Sequence, residues 1–139
     1  MNLDKVLSIS GKPGLYELIS RSKGGFIVKS MESGKKTAVS MRHNINVLGE
    51  IAIYTYDDEI PLYKVFNNIA EKESKGKTID PKSSSNELKS YFQDVLPEYD
   101  EERVYVSNIK KVLQWYNSLI DLGISEFEAE KAQEREEER

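Results

Sequence analysis

At 139 residues, the chain is long enough for one compact domain or two very small ones packed together. Its 38% hydrophobic and 32% charged content is that of a soluble globular chain with some polar excess, and the net charge of −4 gathers toward the end, where the last fourteen residues hold seven Glu. Cysteine is absent, which excludes disulfides, thiolate zinc, iron–sulfur clusters and cysteine nucleophiles.

The start, MNLDKVLSIS, lacks the basic segment and long apolar run of a signal peptide, and no window is apolar enough to span a bilayer. A cytoplasmic protein with no membrane partner is therefore expected. Leu3, Val6 and Leu7 place one apolar side on a short amphipathic turn, which Gly11-Lys12-Pro13-Gly14 interrupts. The period then becomes two. Leu15 to Ser22, Phe26 to Met31, Lys36 to Met41 and Ile51 to Asp57 read as strands, rich in β-branched and aromatic residues and bounded by turn residues.

Gly24-Gly25 and Ser33-Gly34 suit tight hairpins between twisted antiparallel strands. Asn44 to Gly49 reads as a longer link with a single turn at Ile45, Val47 and Leu48. In the fourth strand Ile51, Ile53 and Thr55 share one face and Ala52, Tyr54 and Tyr56 the other, so it is expected to be central or covered on both sides. These four strands predict a small antiparallel sheet or an SH3-like partly open barrel, and the pattern does not separate the two.

Beyond Asp58 the period turns helical. Pro61 suits the start of a helix carrying Leu62, Val65, Phe66 and Ile69, which frays into a charged linker over 71–82. One of Ser83, Ser84 and Ser85 is expected to cap a second helix, with Leu88, Tyr91, Phe92 and Val95 inward and Pro97 ending it. A third runs from a cap at Ser107 to Leu122, stopped by Gly123. The expected fold class is thus α+β, with a β module over 1–59, a helical module of about three helices over 60–123, and a frayed or disordered acidic tail over 124–139 without an apolar face.

Motifs with chemical meaning fail one by one. Gly76-Lys77-Thr78 lacks the earlier glycine and the preceding strand of a phosphate loop, since position 71 is Glu. His43, the only histidine, has no evident partner for general-base work and reads as a turn residue. Asp57-Asp58-Glu59 and the run Glu98 to Glu102 lack the alternation and internal glycine of a calcium loop, and the first suits a helix N-terminus. No G-x-S-x-G elbow occurs. The chain is expected to be no enzyme and to need no cofactor, with no catalytic or metal-ligating residue to name.

Binding leaves better traces. Arg21, Lys23, Lys29, Lys35, Lys36 and Arg42 oppose only Glu32 within residues 21–42, a local charge of +5. With Phe26 and Tyr54 they resemble the charge-plus-aromatic mixture of small nucleic-acid-binding barrels, although strand lysines also guard sheet edges against aggregation. The same residues are candidates for a protein partner's contact. Trp115 falls at the edge of the third helix's apolar stripe, either as a partner contact or as cover for a module junction.

The segments LSISGKPGLYELIS, GGFIVKS, AVSMRHNINVL, IAIYTYDDEIPL and VLPEYDEERVYVSNIKKVLQWYN resemble a family of short bacterial proteins, common in Bacteroidetes and known only as a domain of unknown function. The resemblance covers residues 2–122. It implies a separate N-terminal β unit and C-terminal helical unit in a bacterial cytoplasm, and it carries no activity, cofactor or site residue with it. The resulting expectation is a protein-interaction or scaffolding module of unknown partner and oligomeric state, with a nucleic-acid-associated accessory role as the alternative.

Overall fold

The computed structural model describes residues 1–40 and 42–137. The chain divides into two compact units, one of residues 2–51 with the C-terminal segment from Glu128, the other of residues 52–127 with Met1.

The first unit holds an antiparallel sheet of five strands, β1 (Val6–Ile9), β2 (Tyr16–Ser22), β3 (Gly25–Ser30), β4 (Lys36–Ser40) and β5 (Ile45–Val47), in the order β4-β3-β2-β1-β5. Among the described residues no ladder joins β4 to β5, so the sheet is open and not a barrel. Three strands lie where alternation and paired turn residues place them; of the expected third, Met41 is outside the described residues. The other two correct the expectation. Leu3–Lys5 forms a single turn of 3-10 helix, and Val6–Ile9, expected within an amphipathic turn, is a strand between β2 and β5. Val6 and Leu7 are both buried, and a strand with adjacent buried residues has no period-two signal. Ile45 and Val47, expected in a link, pair with Ile9 and Leu7. Leu7, Ile9, Val28 and Val39 form the core of one sheet face, with Tyr16, Leu18, Phe26, Ile45 and Val47 packed around them.

The C-terminal segment belongs to this unit. Leu3 N donates to Glu128 O at 2.8 Å, and Lys131 N, in the first turn of α4 (Glu130–Glu137), donates to Asp4 Oδ2 at 3.2 Å. Ala129 and Ala132 are buried. The expectation of a tail without a buried face is therefore corrected: the inward residues of its helical part are small, and alanines three apart make a face that a search for large apolar side chains overlooks. Gly49 lies so close to Asp4 that a Cβ would overlap its carboxylate and backbone, so this joint requires glycine.

The second unit opens with a two-stranded ladder, β6 (Ala52–Tyr54) and β7 (Glu59–Pro61). Residues 51–57 are thus not the fourth strand of the main sheet, nor covered on both sides: Ile53 is buried while Tyr54 and Tyr56 are 45% and 60% exposed. Three helices follow, α1 (Leu62–Lys72), α2 (Ser85–Val95) and α3 (Val106–Asp121). Ser84 caps α2 by accepting from Glu87 N at 3.2 Å. The third helix is capped two residues before the expected Ser107, at Tyr105, whose N donates to Asn108 Oδ1 at 2.9 Å. Gly123, at φ +82°, ends it in the left-handed conformation that glycine adopts most readily.

Aromatic rings fill the centre of this unit. Phe66 meets Phe127 edge-on at 5.2 Å and Tyr116 at 5.9 Å between centroids, and Phe92 meets Tyr99 at 5.0 Å. Phe127 is 6% exposed, a second way in which the stretch after Gly123 is anchored. The segment between α1 and α2, expected as a solvated linker, is tied down along its length. Tyr116 donates to Gly76 O at 2.8 Å, Thr78 N donates to Asn117 Oδ1 at 2.9 Å, and Tyr91 donates to Glu73. Ser74 and Lys75 adopt positive φ to begin this path, a conformation that costs a non-glycine residue about 1–2 kcal/mol and needs such ties to hold it. None of the described helices is long and apolar enough to cross a membrane.

Candidate functional site

The basic residues of the hairpins do not share one face. Lys29 and Lys36 are direct cross-strand partners, and Lys29 also lies opposite Glu17, so a carboxylate interrupts this pair on one side of the sheet. Arg21 lies on the other side. A register shift between Leu18 and Ser20 inverts the alternation of β2 and sets Arg21 opposite Phe26, whose ring centroid its guanidinium approaches at 5.6 Å. Lys23 sits in the β2–β3 turn, Lys35 at the end of the β3–β4 turn where its carbonyl accepts from Ser30 N, and Arg42 in the turn after β4. Tyr54, grouped with these residues in the sequence, belongs to the other unit.

The remaining candidates have local partners. His43 lies exposed in the turn after β4, where Ser40 N donates to its Nδ1 at 3.2 Å. Lys77 pairs with Asp121 at 2.9 Å, so the Gly76-Lys77-Thr78 stretch is held to α3. Trp115 is half-buried on α3. Among the described residues, no group of three or more His, Asp or Glu side chains is placed to hold a metal ion.

The structure brings together residues that the sequence left apart. Residues 54–56 run beside 98–100: Asp100 N donates to Tyr54 O at 2.9 Å, Tyr56 N donates to Glu98 O at 3.1 Å, and Thr55 bridges Tyr99. Tyr99 turns inward at 2% exposure, and burial raises its phenol above the ordinary value, with Glu101 adding to the effect. Asp100, 8% exposed, takes Arg103 Nε on Oδ2 at 2.7 Å and Glu102 N on Oδ1 at 2.9 Å. The hydrogen bond from Arg103 is the main reason that its carboxyl is held below the usual range, against the opposing pull of desolvation.

Thus held, the Arg103 guanidinium donates to Thr55 O at 3.2 Å and lies 4.4 Å from the centroid of the Tyr54 ring. Two residues on, Tyr105 precedes α3 and is 64% exposed. Tyr54, Tyr56 and Tyr105 thus stand out on backbone fixed by a ladder, a bridge and a helix start, with Asp57, Asp58, Glu59, Glu98, Glu101 and Glu102 exposed alongside them in sequence. Only the acidic runs were visible in the sequence. The usable signal was tyrosine at 54, 56 and 105 flanked by carboxylates, masked because two of the three fell in a segment expected to be covered.

A small α+β protein of two units, with an open antiparallel sheet in one and an aromatic-centred helical layer in the other, is the class that these features define. Residues 3–48 match the domain of unknown function DUF5606 and residues 51–119 the domain of unknown function DUF6852. A structural genomics target from Bacteroides vulgatus, solved by solution NMR, is 40% identical over 91% of this chain and 92% of that one, with a TM-score of 0.77. The chain belongs to this uncharacterised family. No curated protein matches it.

Proposed function

We propose that this protein is a non-enzymatic protein-interaction module whose contact surface is the tyrosine–arginine patch of the helical unit. The observation that carries this reading is the exposure of Tyr56 and Tyr105, at 60% and 64%, on backbone that does not have to be ordered on binding. Tyr and Arg are, with Trp, the side chains most enriched among residues that dominate interface energies, because each brings a large contact area together with hydrogen-bonding capacity. A surface already fixed by the Asp100–Arg103–Thr55 clamp avoids much of the ordering cost that association otherwise carries.

The non-enzymatic part of the proposal rests on what the titratable groups do. His43 is bonded to its own turn, Asp100 is committed to Arg103, and the phenols of Tyr91 and Tyr116 are bonded to neighbouring segments. A chain without cysteine also suits a reducing cytoplasm. No specific observation favours the nucleic-acid alternative, since the basic residues lie on both sides of the sheet.

The test is affinity capture from native cell extract with wild-type protein and with a Tyr56→Ala/Tyr105→Ala variant of unchanged circular dichroism and melting temperature. A protein retained by the wild type and lost with the variant is expected. Equal retention by both places the contact surface elsewhere.

A further inference from the structure

The patch also indicates the chemistry of what it holds. Tyr54 already has a cation over its ring, supplied by Arg103 at 4.4 Å, and that guanidinium is aligned by a carboxylate and a carbonyl. Tyr56 and Tyr105 are rings of the same kind, and both are more exposed than Tyr54. Around them the charge is one-sided. Asp57, Glu59, Glu98, Glu101 and Glu102 are exposed, whereas the one cation of these segments, Arg103, is paired with Asp100.

We propose that the tyrosine–arginine patch binds a Lys/Arg-rich segment of a protein partner, with the partner's cations over Tyr56 and Tyr105 and its charge offset by the flanking carboxylates. This rests on the reading of the patch as an interaction surface and adds the partner's chemistry to it. A cation over an aromatic face is favourable at an exposed site and more so once water is excluded, so such contacts at Tyr56 and Tyr105, with carboxylates flanking them in the chain, make a basic segment a better occupant than an apolar or acidic one. An apolar segment would have to bury these carboxylates without compensation. An acidic segment would meet like charge along its length.

Full-length 15N-labelled protein titrated with a synthetic Lys/Arg–Ser peptide, and separately with a Glu–Ser peptide of equal length, tests this directly. Amide shifts confined to residues 54–59 and 98–106 are expected with the basic peptide and none with the acidic one. The Tyr56→Ala/Tyr105→Ala variant should weaken the basic peptide by about tenfold or more. Added salt should weaken the wild-type complex while leaving its site unchanged.

Absence of binding, shifts spread over other acidic segments, or equal affinity in wild type and variant would each overturn the basic-segment proposal. If the basic peptide fails while tyrosine-dependent capture from extract succeeds, the surface stands and the partner chemistry is wrong; if both fail, the surface goes too. Sedimentation covers the remaining occupant: a dimer of the full chain that dissociates in the tyrosine variant assigns the patch to a second copy and overturns a basic partner segment from another protein.

Discussion

Seven of the eight tyrosines lie in the helical unit, and they divide into two sets. Tyr63, Tyr91, Tyr99 and Tyr116 are buried; Tyr54, Tyr56 and Tyr105 are exposed. The inner set shows how a phenol serves a fold. Tyr116 packs its ring against Phe66 and Phe127, Tyr91 carries the Lys72 ammonium 5.4 Å from its ring centroid, and their hydroxyls donate to Gly76 O and to Glu73, which fastens the path from α1 to α2. The outer set is fixed through its backbone, with much of each ring left to solvent. Position in the ladder decides the difference, since Thr55 bridges Tyr99 and the tyrosines on either side of it remain outside. The same residue type thus fills the core on one side of a short ladder and covers its surface on the other.

The strongest test of this contrast removes the inner layer's anchor. Phe127 packs against both Phe66 and Tyr116, and Phe127→Ala is expected to cost about 3–5 kcal/mol in chemical denaturation. Truncation after Gly123 should cost more, because it also removes Ala129, Ala132 and the bond from Lys131 N to Asp4. An unchanged melting temperature after truncation would mean that the segment contributes nothing to either unit.

Alkaline titration separates the sets next. Burial, with Glu73 adding, pushes the Tyr116 phenol up from its ordinary value of 10.0 to about 12. Burial and the Glu73 hydrogen bond raise Tyr91 as well. The unfolded chain therefore loses these protons at lower pH than the folded one. Their contribution is complete below pH 10, and stability falls as pH rises from there toward 12. Tyr116→Phe should lower stability near neutrality by about 0.5–1.5 kcal/mol for the lost hydrogen bond and flatten the alkaline fall. A fall of the same steepness in the Phe variant would trace it to other groups.

The outer set is expected to respond in the opposite manner. Tyr56→Ala and Tyr105→Ala should each change stability by no more than about 0.5 kcal/mol while weakening partner binding. A loss of stability as large as that of Phe127→Ala would show that these rings pack, which ends their assignment to a contact surface.

Much of this architecture was legible in the sequence, and the failures have common causes. The hairpins of β2, β3 and β4 announce themselves because glycine-containing turns separate alternating runs. The three helices follow from stripes such as Leu88, Tyr91, Phe92 and Val95, all of which are buried. β1 was hidden because Val6 and Leu7 are both buried, and β5 because three residues carry too little pattern. The shift at Ile19, which moves Arg21 to the Phe26 side, leaves no mark in composition. The patch was illegible for a related reason. Residues 52–56 look like a covered strand, and nothing local reveals that their partners are Glu59–Pro61 on one side and residues 98–100 on the other. A surface assembled from segments more than forty residues apart has no short-range signature.

The smallest expected effect bears on how the two sets are joined. Asp100 belongs to the inner side of the ladder and Tyr54 to the outer, and Arg103 touches both. Because the Asp100 carboxyl is held below its ordinary value of 3.8, its contribution is present above that pH and is lost as pH falls through the lowered one. Arg103→Lys keeps the charge but loses the planar fork that contacts Asp100, Thr55 O and the Tyr54 ring together. By that linkage the variant should lose a little of the wild type's stability at neutral pH, far less than Phe127→Ala does, and show a smaller further loss on acidification. Partner binding should weaken through Tyr54, which is left without its stacked cation. If binding is unchanged while the acid response disappears, Arg103 braces the ladder and takes no part in the contact surface, which then contracts to Tyr56 and Tyr105.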